Sequence, residues 1–246
     1  MSVLLSELLS CGECRGPVDP SRTDAVTISR RVDVGPAMEA SIAEIREVGS
    51  DAIAIDFETP SGLDARPGQF VRVKIEIGDE VEYRSYTISS PFVDETFEIT
   101  VDIDPRWGTV GPKLANFEAG DTVEISGPHG NVYYEDEDRV VVLAGGPGVG
   151  PAVGIAERAL TGSNDAAVVY QDSRLIHERR LEGLIDAGAF VRILDEDDDL
   201  VSTVADALAD GGQAFVYGFA DFVSNAGEAL AEADVDPAQA KIENFG

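Results

Sequence analysis

The feature that most constrains this chain is a change of hydrophobic grammar about halfway along it. Before Gly127-Pro128-His129-Gly130, apolar residues alternate in short runs. After it, the continuous apolar run Val140–Ala144 leads into a glycine-rich loop and a helical pattern. Alternation with a period of two marks strands with one buried face, and an unbroken apolar run marks a strand buried on both. A chain that uses the first grammar and then the second reads as two domains of different class.

In the first half, Met38 begins a strand-like pattern. Ala52–Thr59, Phe70–Ile77, Val81–Ser90, Phe97–Ile103 and Thr122–Ser126 read as further strands. Turn signals separate them at Arg66-Pro67-Gly68 and Ala119-Gly120-Asp121, and Val110–Phe117 reads as a helical insert. Short strands at regular spacing with one helix predict a small antiparallel barrel. In the second half, strand Val140–Ala144 is followed by helix Ala152–Leu160, strand Ala167–Gln171 and helix Glu178–Ala187. Strand Phe190–Leu194, helix Leu200–Ala209, strand Ala214–Tyr217, helix Asp221–Ala233 and a last strand at Lys241–Phe245 complete the pattern. Strict alternation of strand and helix predicts a doubly wound parallel sheet. The expected fold is therefore an N-terminal antiparallel β-barrel followed by an α/β doubly wound parallel sheet, with boundaries at 38–134 and 135–246.

Composition narrows the partners. Of 246 residues, 47 are acidic and 18 basic, a formal net charge of −29, while 43% are hydrophobic. A disordered acidic chain lacks that apolar content, so this is a folded core in a carboxylate-rich shell. Only Lys74, Lys113 and Lys241 are lysines, a shortage that points to a very salty cell interior, where self-repulsion is screened. Nucleic acid and anionic membrane surfaces are poor partners for such a surface. No run approaches the ~18 apolar residues of a membrane span. The opening MSVLLSELLS lacks the basic start of a signal peptide. A cytoplasmic location is the expectation.

Residues 1–37 stand apart. They show no sustained periodicity and contain both cysteines, Cys11 and Cys14. One expectation is that they are a mobile or mis-annotated extension, with translation starting at Met38. Two cysteines fall short of the four ligands of a structural zinc or iron–sulfur site. That leaves a pair in a mobile tail, or half of a metal site shared between molecules.

Four segments carry chemistry. Arg84-Ser85-Tyr86-Thr87 ends a barrel strand, where an arginine can grip a diphosphate bidentately. Gly108-Thr109-Val110-Gly111 opens a short helix and can aim free backbone N–H groups at an anion. Gly145-Gly146-Pro147-Gly148-Val149-Gly150 lies between a buried strand and a helix, the setting in which glycines let a backbone approach a pyrophosphate. Finally, Ser173-Arg174 and the pair Arg179-Arg180 gather three arginines in a short stretch of an acidic chain, which suggests an anion site. Each also has a plainer reading. Arg84 and Tyr86 can be an exposed and a core residue of an ordinary strand, and Arg179 and Arg180 can pair with Glu178 and Glu182. Asp172 can hold a ribose diol, as it does in sheets that bind NAD.

Taken together and in order, these motifs resemble the ferredoxin–NADP reductase family over residues 38–246. RSYTISSP is similar to that family's Arg-x-Tyr-Ser/Thr flavin motif. The resemblance implies FAD, with Arg84 on its pyrophosphate, Tyr86 packed on the flavin, Thr87 near N5, and Ser85 among the cofactor-binding residues. Gly108, Thr109, Val110 and Gly111 correspond to the second flavin segment, where the family usually has serine in place of Gly111. Gly145–Gly150 resembles the nucleotide loop, with Pro147 and Gly150 replacing its threonine and alanine. Ser173, Arg174 and Arg179 fall where the family binds a 2′-phosphate, which implies NADP(H), with NAD(H) the alternative through Asp172. Tyr217-Gly218-Phe219 is similar to the Cys-Gly-Pro segment beside the nicotinamide. The ending Glu243-Asn244-Phe245-Gly246 is similar to members whose final acid and aromatic meet the flavin.

The implied activity is hydride transfer from NAD(P)H to FAD, with Tyr86, Thr87, Glu243 and Phe245 at the reacting centre. Electrons then pass to a separate acceptor, a ferredoxin first. The cysteines that would hold a built-in [2Fe–2S] cluster are not in the sequence, which argues against an electron-transfer subunit of dihydroorotate dehydrogenase. The alternatives are a flavin or ferric reductase, the reductase component of an oxygenase, and a flavin-binding redox sensor.

Overall fold

A computed structural model describes residues 36–246. The expectations for residues 1–35, including those for Cys11 and Cys14, lie outside the described residues. Six strands form the first sheet: β1 (Ala37–Gly49), β2 (Ala52–Glu58), β3 (Phe70–Ile77), β4 (Glu80–Thr87), β5 (Thr96–Asp102) and β6 (Thr122–His129). Their order is β4-β3-β6-β1-β2-β5, and every pairing is antiparallel. β1 is long enough to serve two neighbours, pairing β6 through Ala37–Ser41 and β2 through Ile42–Gly49. An Ile88–Ile99 bridge joins the chain after β4 to β5 and closes the barrel. The core is the inward half of each alternating strand: Val71, Val73 and Ile75 from β3, and Phe97, Ile99 and Val101 from β5. Phe57 and Phe97 are opposite each other in register, their rings stacked at 5.3 Å.

The second sheet contains β7 (Arg139–Gly145), β8 (Asp165–Gln171), β9 (Phe190–Leu194), β10 (Gln213–Gly218) and β11 (Lys241–Asn244), in the order β11-β10-β7-β8-β9 and all parallel. Helices α2 (Val149–Thr161) and α3 (Glu178–Asp186) cover one face. Helices α4 (Leu200–Ala207) and α5 (Ala220–Glu232) cover the other. The chain runs outward from β7 to β9, then crosses back to β10 on the far side of β7. That reversal leaves a crevice beyond the carboxyl ends of β7 and β10, the place where open α/β sheets bind ligands.

Both expected architectures are present, with differences of up to three residues at element ends, two of which bear on the site. The helical insert is shorter than predicted. α1 spans Val110–Leu114, and 3₁₀-type bonds from Asn116 and Phe117 back to Lys113 and Leu114 turn the chain away. The last barrel strand runs beyond Ser126 to His129, so that His129 sits opposite Phe70 in the ladder and not in a loop. Among the described residues no helix is long and apolar enough to cross a membrane. The three lysines are all engaged: Lys74 with Glu124, Lys113 with the Glu76 carbonyl, and Lys241 with Glu135 and Glu137.

Candidate active site

Two hollows meet where the barrel faces the parallel sheet. The first is a cavity of about 310 Å³. The barrel contributes Arg84–Thr87 from the end of β4, Thr100 and Asp102 from β5, and the Asp104 and Trp107–Pro112 stretch. The second half contributes Pro147, Pro151, Phe219 and Phe245. The second hollow is a cleft at the crevice of the parallel sheet, lined by Gly145, Gly146, Pro147, Asp172, Ser173, Arg174, Asp221 and their neighbours.

Pairing explains how β4 presents its motif. Tyr86 is opposite Val71 and Arg84 opposite Val73, so both share the side of β3 that faces the barrel core. Tyr86 packs on that core, and burial pushes its phenol above its ordinary range, which keeps it protonated and able to donate a hydrogen bond. Arg84 is exposed, ion-paired with Glu82 and bonded to the Tyr83 carbonyl. Thr109 is the N-cap of α1 yet makes no side-chain cap, so the first N–H groups of that helix are left to other acceptors. A Cβ at Gly111 would collide with the Asp102 carbonyl oxygen, which accounts for glycine where the resembled family has serine. Just before α1, the Asp104 carboxylate caps the turn Pro105–Trp107, accepting from the Arg106 N–H at 2.9 Å and its Nε at 2.6 Å. Those bonds hold the Asp104 carboxyl below its usual range.

The glycine loop divides its labour. Gly145, Gly146 and Pro147 line the cleft, and Gly146 takes φ +56°, a conformation that favours glycine. Gly148, Val149 and Gly150 are buried and line neither hollow. A Cβ at Gly148 would strike the Tyr217 carbonyl, and one at Gly150 would strike Thr100 and Ser89 of the barrel half. Gly148 and Gly150 thus permit close packing of α2. Gly218 closes on the Phe222 ring at the end of β10 and accepts a 2.9 Å bond from the Phe245 N–H. Phe219 projects into both hollows. Tyr217, expected beside the nicotinamide, is fully buried on the core side of β10 and donates its hydroxyl to the Val132 carbonyl at 3.0 Å. Phe245 lines the cavity, whereas Glu243 lies beside Gly130, its carboxyl pushed up to about 7 by burial.

The arginines separate. Ser173 and Arg174 line the cleft, but Arg174 is ion-paired with Asp102 at 2.9 Å and with Asp172 at 3.6 Å. Arg179 lines a different groove beside Arg46 and Glu47. Arg180 is drawn into the seam between the two halves, bonded to Glu98, both Glu157 oxygens and the Ser89 carbonyl at 2.7 to 2.8 Å. Arg46 grips Glu98 from the other side. Arg179 and Arg180 do not pair with Glu178 and Glu182, nor do they join Arg174 in one anion site. Sequence gave no hint of Glu98 and Thr100 as buried, because on β5 they alternate with Phe97, Ile99 and Val101 as a solvent-facing half would.

His177 completes the seam. It is buried, adopts φ +58° before α3, and its Nε2 lies 2.8 Å from Thr100 Oγ1, which in turn meets Ser89 Oγ at 2.8 Å. Burial, with Arg180 and Arg46 close by, pushes its pKa down from 6.5 to about 3. Between those values the unfolded chain binds the proton and the folded chain does not. This part of the stability is therefore complete above pH 6.5 and is lost as pH falls toward 3, by about 1.4 kcal/mol per pH unit. From about pH 7 to about pH 5, the native protein should lose about 2 kcal/mol more urea stability than His177→Asn, which keeps a residue tolerant of positive φ. Equal slopes in the two proteins would show that His177 is not buried neutral.

Comparison with known proteins agrees with this geometry. Residues 39–134 match the oxidoreductase FAD-binding domain family. The described fold as a whole is of the ferredoxin–NADP reductase type. A ferredoxin NADP+ reductase from Neisseria gonorrhoeae superposes with a TM-score of 0.72 at 18% identity, covering 86% of this chain and all of that one. The glycine betaine monooxygenase reductase subunit of Chromohalobacter salexigens is 42% identical over 89 residues, which is 35% of this chain and 24% of that protein. A probable dihydroorotate dehydrogenase B electron transfer subunit from Methanopyrus kandleri is 34% identical over 130 residues, 52% of this chain and 45% of the relative. The chain thus spans less than half the length of these curated relatives.

Proposed function

We propose that this chain is a flavoprotein reductase that oxidises a reduced nicotinamide nucleotide and delivers the electrons to a separate acceptor. In this reading residues 38–134 hold FAD and residues 135–246 hold the nucleotide. The observation that carries it is the convergence of Arg84–Thr87, Gly108–Gly111, Pro147, Phe219 and Phe245 on one cavity.

The residues present fit a flavin dinucleotide. Tyr86, Trp107, Phe219 and Phe245 offer flat apolar walls, Ser85 and Thr87 offer hydroxyls, and Arg84 stands at the rim beside the start of α1. When bound, the flavin supplies hydride acceptance and onward transfer of electrons singly or in pairs. The chain's own work is to position and to exclude water. Arg84 would exchange Glu82 for a diphosphate, Tyr86 would pack on the flavin as a neutral phenol, and Phe245, anchored through its N–H, lines the cavity from the second half. Charge-assisted bonds are worth about 1.5–3 kcal/mol, so Arg84→Ala should weaken FAD binding about 10- to 100-fold. Flavin absorbance retained through gel filtration reads this directly, and undiminished retention would remove Arg84 from the site.

For the nucleotide, the cleft supports NADH over NADPH. Of its two arginines, Arg174 is neutralised by Asp102 and Asp172 and Arg106 by Asp104, while Asp51, Glu196 and Asp221 add negative charge to the walls. A 2′-phosphate would meet like charge there, which costs several kcal/mol, whereas Asp172 suits a ribose diol. Steady-state kcat/KM should favour NADH by about tenfold or more, and an NADPH preference would overturn this choice. A ferredoxin remains the first candidate acceptor. The likeness to a monooxygenase reductase subunit makes an oxygenase component the second. NADH oxidation measured against a ferredoxin, free FMN and a ferric chelate separates these. With a charge of −29 and three paired lysines, the chain suits a cytoplasm of high salt.

A further inference from the structure

The cavity and the cleft share three wall residues: Trp107, Pro147 and Phe219. Two of these form the partition. The Trp107 and Phe219 rings stack at 5.9 Å with 14° between their planes, and Phe219 meets Phe245 edge-on at 5.9 Å on its other side. A nucleotide whose pyrophosphate rests on Gly145–Pro147 in the cleft must send its nicotinamide past this pair to reach the cavity.

The members of the partition are held unequally. Phe245 packs on the core and is tied by its N–H to Gly218, and Phe219 leads directly into α5. Trp107 is 65% exposed, and among the described residues its one stacked ring partner is Phe219. It ends a single 3₁₀ turn and is followed by Gly108 at φ +129°, a conformation open to glycine. The turn's other end is fixed by Asp104 and Arg106. The ring that can yield is Trp107, and it does so without disturbing a core.

Resting on the reductase reading above, we propose that Trp107 is a gate. Stacked on Phe219 it separates the flavin cavity from the nucleotide cleft, and a nicotinamide ring enters by displacing Trp107 from Phe219. The pair then acts as a specificity device for the nicotinamide end of the ligand, leaving the adenosine end to the cleft.

Trp107 is the sole tryptophan of the sequence, so its fluorescence reports the gate alone. The test uses the FAD-loaded full chain, titrated with NAD+ and separately with ADP-ribose, which lacks the nicotinamide. Calorimetry reads binding, and Trp107 emission with acrylamide quenching reads the gate. NAD+ should shift the emission and raise quenching by up to about 1.5-fold, the limit for a ring already 65% exposed, and ADP-ribose should bind without either change. Trp107→Ala should raise NAD+ affinity relative to ADP-ribose affinity about threefold, because a stacked pair no longer has to part. If both ligands bind but Trp107 answers them alike, or answers neither, the gate is wrong and the reductase reading stands. If neither ligand binds, the choice of NADH and the gate fall together, while the flavoprotein reading is judged separately by NADPH titration.

Discussion

Replacing Arg180 by alanine is expected to destabilise the protein by about 3 kcal/mol, because it leaves the buried Glu98 carboxylate to Arg46 alone and takes the partner from half-buried Glu157. Arg180 satisfies Glu98, which is 5% exposed, together with Glu157 and the Ser89 carbonyl. For a chain of this size that corresponds to a fall in melting temperature of about 6–12 °C. Arg180→Lys keeps the charge but not the fork and should lie between the two. Arg179→Ala, one residue away and facing a surface groove, should change stability by no more than about 0.5 kcal/mol. The series decides between two roles for the arginine cluster. A nucleotide-binding Arg180 would lose NADH affinity while keeping its melting temperature; a seam-holding Arg180 melts early.

The second large effect is expected from a substitution that makes the sequence look more like its relatives. Gly111→Ser introduces the hydroxyl usual in the resembled family, yet its Cβ would run into the Asp102 carbonyl. Backbone is less able to yield than a side-chain tip, and overpacking of this kind costs about 1–3 kcal/mol. Here the cost falls on the contact between β5 and α1 that shapes the flavin cavity. FAD affinity should drop about 10- to 100-fold, measured by fluorescence on reconstitution of the apoprotein. A serine variant that binds FAD as tightly as the native chain would show that Asp102 and α1 are further apart in solution.

Much of the fold was legible because both halves obey their periodicities. Phe97, Ile99 and Val101 fill the barrel, and Val140–Ala144 is buried throughout, as the two patterns require. The meeting of Arg84–Thr87 and Gly108–Gly111 at one cavity follows for the same reason, since a strand end or a loop after a strand has few places to go. What sequence hid is the seam. Glu98 and Thr100 read as the wet side of β5, but that side meets α2 and α3, and only their partners Arg180 and His177 make burial tolerable. A polar alternation cannot say whether water or another domain covers it. The same blindness put Arg179 and Arg180 with Arg174, although the short approach to α3 turns them to different surroundings. Gly148 and Gly150 look like phosphate-loop glycines, yet they serve helix packing, a role visible only once Tyr217, Ser89 and Thr100 are in place. Trp107 carried a signal in being the sole tryptophan, next to Gly108-Thr109-Val110-Gly111, but no periodicity assigns a function to one exposed ring.

The central claim is that the cavity at Arg84–Thr87 and the cleft at Gly145–Pro147 serve one electron path. Anaerobic titration of the FAD-loaded protein with NADH, followed by flavin absorbance, tests it most directly. Complete bleaching by one equivalent of NADH is expected, with NADPH needing a large excess or far longer. A protein that holds FAD yet stays yellow with both nucleotides would contradict it, leaving a flavin-binding module that does not accept hydride.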